Sequence, residues 1–199
     1  MLEQIIEFDK ELFLGINNGW SNPFFDWLLP ILRNAYTWAP LYLFLIIFFI
    51  RTYGKMGILI VAMTLLNFGV SDITSSHLIK KNVERVRPCN DLEFKEHVIL
   101  RANCGSGYSF TSSHATNHFA MAVFWIMLFS KRWRPTRYLA LFWAVSISIS
   151  QVYVGVHYPL DIFFGALLGS LIGIGNGYLF NRFFPKTINQ AAKSSISHE

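Results

Sequence analysis

Long apolar stretches constrain this chain more than any other feature of its sequence. Five of them cover residues 35–50, 56–79, 115–130, 138–153 and 159–180. A helix that spans a membrane needs about 20 mostly apolar residues, with a range of about 17–25. A chain of 199 residues with so many of these stretches has little room for a soluble domain. We therefore predict an all-α fold, an integral membrane helical bundle with about five transmembrane helices.

The composition agrees with a membrane protein. Hydrophobic residues make up 53% of the chain and charged residues 15%, whereas soluble domains carry about 25% charged residues. These proportions exclude a disordered chain and an ordinary soluble domain, and they argue against binding to nucleic acid. The chain nevertheless carries a net charge of +5, so the positions of its basic residues require an explanation.

The N-terminal region is predicted to lie on the membrane surface. Apolar residues recur at helical intervals in residues 1–17, but charged residues such as Asp9 interrupt them. Residues 23–32 form a second short apolar segment, which contains Asp26 and Pro30. We predict N-terminal amphipathic, interfacial helices in residues 1–34, a transmembrane domain in residues 35–185 and a polar C-terminal tail in residues 186–199. The sequence leaves open a sixth crossing in the first region.

Basic residues near the ends of the spans predict the orientation of the chain, because short cytoplasmic loops carry an excess of Lys and Arg. They cluster between the first two spans, between the third and fourth, and after the fifth: Arg51, Lys55, Lys131, Arg132, Arg134, Arg137, Arg182 and Lys186. Segment 80–113 and the turn around His157 are then predicted to face outward. We predict a multi-pass protein of the inner (cytoplasmic) membrane whose functional site faces the periplasm or the cell exterior.

Both cysteines, Cys89 and Cys104, lie in this outward segment. In an oxidising compartment they can form a disulfide. The alternative is two unrelated thiols, and the shared long loop favours the bridge.

Lys80 and Arg87 form the first of three polar clusters at outward span ends. They are predicted to share one face of a helix, about 10 Å apart along its axis, which Pro88 then discourages from continuing. A lysine and an arginine that converge in this way suit a phosphate-like anion. The alternative is an ordinary basic helix end.

The second cluster is Ser112, Ser113 and His114, directly before the third span. A helix start leaves backbone N–H groups free to hold an anion, with His114 beside it. The alternative is a serine N-cap with an incidental histidine. His118 shares a face with His114, but Ala115 stands where the zinc-binding HExxH pattern needs Glu, so no metal site is predicted.

The third cluster pairs His157 with Asp161 at the start of the fifth span. A carboxylate that accepts a hydrogen bond from one imidazole nitrogen fixes the tautomer and makes the other nitrogen a better nucleophile or base. Ionisable residues in a membrane helix are costly, which favours a functional pair.

Two further patterns in the spans receive structural interpretations. Asp72 and His77 either line the floor of the site or bond between helices, and the second is favoured. Gly165, Gly169 and Gly173 repeat every four residues and predict a close helix-packing face.

The three clusters together resemble the type 2 phosphatidic acid phosphatase superfamily, whose motifs are K-x6-RP, PSGH and SR-x5-H-x3-D. They correspond here to Lys80 with Arg87-Pro88, to Thr111-Ser112-Ser113-His114, and to Ser150-Gln151 with His157 and Asp161. Gln151 stands where the family has a phosphate-binding arginine, and glutamine donates hydrogen bonds without charge. The candidates to supply that charge are Lys81, Arg85 and Arg101.

The resemblance implies a metal-independent phosphoric ester or diphosphate hydrolase that needs no cofactor. His157 is implied as nucleophile, Asp161 as its orienting partner and His114 as acid. Phosphate is implied to bind at Lys80, Arg87, Ser112, Ser113 and Gln151. The implied partners are the bilayer and a membrane lipid substrate: phosphatidic acid, phosphatidylglycerol phosphate, undecaprenyl diphosphate or lipid A.

Two alternatives stay open at this point, and the oligomeric state is not specified. One is a phosphotransferase that passes the phosphoryl group to a second lipid. The other is a non-catalytic lipid-binding or transport protein, which the intact histidines disfavour.

Overall fold

The computed structural model describes residues 1–184, which contain helices and no strand. The α-helices are α1 (Leu2–Asn17), α2 (Pro23–Arg33), α3 (Ala35–Tyr53), α4 (Lys55–Ile73), α5 (Lys80–Val83), α6 (Ser113–Phe129), α7 (Pro135–Tyr153) and α8 (Pro159–Phe183). A π-helix, Thr74–Ile79, joins α4 to α5, and short 3-10 turns occur at Pro88–Asn90 and Lys95–His97. The all-α prediction is confirmed. The predicted tail, residues 186–199, lies outside the described residues.

Three helical stretches are long and apolar enough to cross a membrane: Ala35–Tyr53, Lys55–Asn90 and Pro159–Phe183. Helix α6 has only 17 residues. Serines interrupt α7, where the hydroxyls of Ser148 and Ser150 donate to carbonyls of the preceding turn. Helices surrounded by other helices need less apolar surface than helices that face lipid. The count of five spans therefore stays a prediction.

Helices α6 and α8 pack closely along the predicted glycine face. A Cβ atom at Gly169 would lie 2.2 Å from the carbonyl oxygen of Thr116, and one at Gly173 would lie 2.6 Å from that of Ala120. Only glycine allows the two backbones to approach so closely. The packing interpretation of the glycine repeat is thus confirmed.

Helix α4 joins this pair through a buried asparagine. The side-chain amide of Asn67 donates to the carbonyl oxygen of Ala120 at 2.6 Å, and its Oδ1 accepts from Asn176 at 2.6 Å. Because a buried amide must satisfy its donors and acceptor, these bonds fix α4 against both α6 and α8.

The N-terminal helices form as predicted and dock on the outward end of the bundle. Asn22 caps α2, since its Oδ1 accepts from the backbone N–H of Phe25 at 3.0 Å. At the end of α1, the buried amide of Asn17 donates to the carbonyl oxygens of Tyr153 and Ile99 at 2.7 and 2.9 Å. Both helices therefore contact the segments that carry the third cluster.

The bundle has two chemically different ends. Tyr53 and Phe129 pack at a ring distance of 5.9 Å and bring the basic ends of α3, α4, α6 and α7 together. The opposite end holds the start of α6, the end of α7 and the start of α8. All three polar clusters therefore lie at the end away from the basic loops.

The close packing of α6 against the glycine face of α8 yields a prediction about stability. Gly169→Ala should destabilise the protein by about 1–3 kcal/mol, because its methyl group would overlap a backbone oxygen that cannot move alone. The matched control is Gly175→Ala, where a Cβ atom meets nothing within 4 Å. Thermal unfolding in detergent measures both. Equal midpoints for the two variants would contradict this close packing.

Candidate active site

The His157–Asp161 pair lies at the centre of the outward end. His157 follows α7 in a buried turn and is only 2% exposed, while Asp161 is fully buried in the first turn of α8. Their Nδ1 and Oδ2 atoms are 3.5 Å apart, and Nδ1 makes no hydrogen bond within the described residues. Such long separations are common at active sites without substrate. With Nδ1 turned to the carboxylate, Nε2 is the nitrogen available for reaction.

Arg85 holds the same carboxylate from its other side. Its Nη1 lies 2.8 Å from Oδ1 of Asp161, and its Nη2 lies 2.6 Å from Oδ2 of Asp9. Its guanidinium also covers the ring of Tyr158 at 4.1 Å. The backbone N–H of Tyr158 donates to Oδ2 of Asp161 at 2.8 Å. The carboxylate of Asp161, which faces His157, is thereby fixed in position.

Asp9 of α1 is an unexpected member of this network. It is fully buried and accepts a hydrogen bond from the backbone N–H of Leu160 at 2.9 Å. Burial raises the pKa of Asp9, and Arg85 offsets part of that rise. The only sequence signal was an acidic residue within the apolar pattern of α1.

The surroundings of His157 favour a neutral ring. Burial lowers the pKa of His157 to about 4, although Asp161 opposes the shift, and the positive charges of Lys80 and Arg87 lower it further. Because Asp161 shares its negative charge with Arg85, burial prevails. A neutral imidazole is the form that can act as a nucleophile.

Ser112 and His114 begin α6 beside this pair. Ser112 is the N-cap, and its backbone N–H donates to the carbonyl oxygen of Asp161 at 3.0 Å. The ring of His114 is close enough to His157 for their charges to interact. The hydroxyl of Ser113 contacts those of Ser75 and Ser76 at 3.1 and 3.0 Å. The hydroxyl of Ser113 therefore faces the π-helix.

His118 supports His114. Its Nδ1 lies 2.7 Å from the carbonyl oxygen of His114, its ring packs on Trp143 at 4.8 Å, and its Nε2 lies 3.4 Å from the hydroxyl of Tyr42. These contacts occupy both ring nitrogens, so His118 is a packed residue.

The predicted helical pairing of Lys80 and Arg87 is wrong. Helix α5 ends at Val83 and Glu84 adopts a left-handed conformation with φ 53°. Pro88 restricts the residue before it to extended backbone, and Arg87 has φ −72° and ψ 150°. Both charges still act on His157, because the loop turns back and the Nε of Arg87 bonds to the carbonyl oxygen of Gly107 at 2.8 Å.

None of the candidates for the charge missing at Gln151 is placed to supply it. Arg85 binds two aspartates, and Lys81 is exposed. Arg101 binds Asp26 at 2.5 Å and is further bonded to backbone carbonyls. The guanidinium that reaches Gln151 belongs instead to Arg33 at the end of α2, whose Nε lies 3.1 Å from Oε1 of Gln151. No local motif marks Arg33.

A cavity of about 330 Å³ opens beside these groups. Arg33, Asp72 and His114 line it, and Asp72 also accepts from the amide of Asn117 at 2.9 Å. Asp72 thus both lines the site and bonds between helices, whereas His77 is exposed. The residues lining the cavity are Arg33, Ala35, Trp38, Tyr42, Phe68, Asp72, Ser113, His114, Asn117 and His118.

The loop that carries Arg87 is closed by a disulfide between Cys89 and Cys104, whose Cα atoms are 5.9 Å apart. The bridge joins the 3-10 turn after Arg87 to the irregular segment before Gly105. It thereby limits the positions available to Arg87.

The fold and the site define a helical membrane protein with paired histidines and converging cations at one end of its bundle. The family model of the PAP2 superfamily matches residues 55–185. The chain therefore belongs to this superfamily, in its membrane lipid phosphatase branch, and is a phosphoric ester hydrolase.

Relatives agree with this assignment, and a solved structure agrees with the fold. Lipid A 4'-phosphatase of Bacteroides thetaiotaomicron is 31% identical over 90% of this chain and 78% of its own length. Undecaprenyl-diphosphatase of Sulfolobus acidocaldarius is 34% identical over 85% of this chain and 77% of its own length. The crystal structure of a phosphatidylglycerolphosphate phosphatase from Bacillus subtilis has a TM-score of 0.71 at 22% identity, covering 90% of this chain and 87% of that one. That structure shows the fold alone.

The Arg85 network predicts a large effect on stability. Arg85→Met should cost about 3–5 kcal/mol, because it leaves two buried carboxylates without their shared cation. Lys81→Met is the matched control, since Lys81 is exposed on the same segment. Thermal unfolding in detergent measures the difference. Similar midpoints for both variants would show that the bridge between Asp9 and Asp161 contributes little.

Proposed function

We propose that this protein is a membrane lipid phosphatase that hydrolyses a lipid phosphomonoester or diphosphate through a phosphohistidine intermediate. One observation carries the proposal. The charges of Lys80 and Arg87 act on His157, and those of Arg33 and Lys80 act on His114. Within residues 1–184 none of these three cations forms an ion pair with a carboxylate. A cluster of cations that lacks an anionic partner can bind a substrate phosphate, because the phosphate oxygens would accept hydrogen bonds from all three and balance their charge.

In the first step, Nε2 of His157 attacks phosphorus while Asp161 orients the ring through Nδ1. The bond between phosphorus and the lipid oxygen breaks, and His114 donates a proton to that leaving oxygen. Lys80, Arg87, Gln151 and the backbone N–H groups at the start of α6 hold the phosphoryl oxygens as their charge redistributes.

In the second step, water attacks the phosphohistidine. His114, now neutral, accepts a proton from the water, the P–N bond breaks and inorganic phosphate leaves. The same histidine acts as acid and then as base, and its position at the start of α6 suits both roles. The cycle returns His157 to its neutral form.

An apolar cleft next to the cavity supports a lipid substrate. It has a volume of about 250 Å³, lies between α3, α4 and α6, and shares Tyr42 and Phe68 with the polar cavity. Apolar residues such as Leu45 and Met121 form most of its lining. An acyl or prenyl chain would extend there while its phosphate reaches the histidines. The relatives favour lipid A or undecaprenyl diphosphate among the four predicted substrates.

The same proposal assigns the chain to the inner membrane with its site facing outward. Helices α3, α6, α7 and α8 and the stretch from α4 to α5 would be the five spans, residues 1–34 would lie at the interface and residues 35–185 would form the phosphatase domain. The disulfide supports an oxidising compartment on the site's side, and the basic loops at the opposite end support a cytoplasmic location there.

The proposal predicts that His157→Ala and His114→Ala each lower phosphate release at least about 100-fold, since each removes a group that takes part in the bond changes. Free phosphate is measured with purified protein, a short-chain lipid phosphate and no acceptor lipid. His97→Ala is the control, because His97 is exposed in the loop. Full activity in His157→Ala would refute the assignment. Release that needs an acceptor lipid would indicate a phosphotransferase.

A second prediction concerns the protonation of His157. Because burial lowers its pKa to about 4, the ring should stay neutral from neutral pH down to about pH 5. Nuclear magnetic resonance of protein with labelled histidine measures the titration directly, and the signal missing in His157→Gln assigns it. A midpoint at or above 6.5, the ordinary value for histidine, would show that Asp161 outweighs burial.

A further inference from the structure

We propose that Arg33 is a phosphate-binding residue of this site and that Gln151 positions it. The pair would together supply what the single family arginine supplies at position 151. This inference rests on the proposed phosphatase function and assigns a role to a residue that lies before the part of the chain matched by the family model.

The geometry of the pair is the first support. Gln151 is fully buried, and its Oε1 accepts from the Nε of Arg33 at 3.1 Å. Its Nε2 has no hydrogen-bond partner among the described residues. A buried amide donor without a partner is costly, and an oxygen of a bound phosphate would satisfy it. The outer nitrogens of Arg33 likewise make no hydrogen bond to any residue in the described range.

The electrostatics of the pair are the second support. Burial lowers the pKa of Arg33, yet a guanidinium stays charged in proteins. Arg33 also repels Arg87 and acts on His114. A partly buried cation beside other cations is unfavourable without an anion. Substrate phosphate is the anion that the proposed reaction brings to this place.

The backbone around Arg33 is held firmly enough for a binding role. Asn34 caps α3, since its Oδ1 accepts from the N–H of Tyr36 at 3.0 Å, and the indole of Trp38 donates to the carbonyl oxygen of Leu32 at 2.7 Å. Leu29 is buried one turn earlier, in an apolar cluster with Tyr153. The guanidinium therefore extends from a fixed corner between α2 and α3.

A purely structural role fits Arg33 less well. The two structural arginines of this end, Arg85 and Arg101, each bind carboxylates, and Arg101 also binds backbone carbonyls. Arg33 has one bond, and it leads to a side chain at a motif position. Arg85 and Arg101 therefore stabilise the fold, whereas Arg33 lines the cavity and keeps its outer nitrogens available for a ligand.

The test moves the guanidinium group from position 33 to position 151. Arg33→Gln should lower kcat/KM about 10- to 100-fold and weaken inhibition by orthovanadate, which mimics the transferred phosphoryl group, by a similar factor. The double variant Arg33→Gln with Gln151→Arg should recover most of both losses, because the guanidinium returns to the family position. Gln151→Arg alone should be worse than the double variant, since two guanidinium groups would then compete for one place. Arg51→Gln, an exposed change at the opposite end, is the control.

Three results would overturn the proposal. The first is unchanged kcat/KM and orthovanadate inhibition in Arg33→Gln. The second is a double variant as impaired as Arg33→Gln while its thermal midpoint matches that of the unaltered protein. If Arg33→Gln fails to fold, Arg33→Lys with unaltered kinetics is the third, because a point charge would then replace the planar fork without loss. Failure of the phosphatase function itself would appear separately, as no phosphate release from the unaltered protein.

Discussion

The buried carboxylate of Asp161 is the group on which the outward end of this molecule depends. It faces Nδ1 of His157, accepts a hydrogen bond from the backbone N–H of Tyr158 and binds one arm of the Arg85 guanidinium. The other arm of Arg85 binds Asp9, so the N-terminal helix is tied to the same point. A buried charge is tolerated only when it is paired and hydrogen-bonded, and those requirements bring α1, the loop after α5 and the start of α8 together.

Most of the basic residues that the structure describes fall into three groups with different roles. Basic residues at the ends of α3, α4, α6 and α7 lie away from the site and agree with an orienting role. Arg85 and Arg101 bind carboxylates and hold the N-terminal helices to the bundle. Arg33, Lys80 and Arg87 lie near enough to the histidines for their charges to act on the rings. In the described part of the chain none of the three forms an ion pair with a carboxylate. The difference between the second and third groups is that Arg85 and Arg101 are paired with carboxylates, whereas the residues of the third group are not.

Features set by short-range geometry could be predicted from the sequence, and features set by tertiary contacts could not. The glycine repeat of α8 places its members on one helix face, whatever the rest of the chain does. His157 lies in the turn just before α8, and its short distance in sequence from Asp161 keeps the two side chains close. The end of α5 at Val83 depends on a left-handed residue that no pattern marked. Asp9 and Arg33 reach the site only because α1 and α2 fold back over it, and nothing in their local sequence records their distant partners.

These contributions make the N-terminal region a structural part of the site. The family model begins at residue 55, yet Asp9 helps to fix the carboxylate behind the proposed nucleophile and Arg33 contacts the variant position Gln151. A phosphate responds to the positions of charges and donors around it and not to the helix that carries them. A guanidinium can therefore move from α7 to α2 without changing the chemistry, provided that a neutral side chain with an acceptor oxygen stays at the original position to hold it. Gln151 meets that condition. Its presence in place of the family arginine is then explained by Arg33 of α2, which supplies the guanidinium from a different helix.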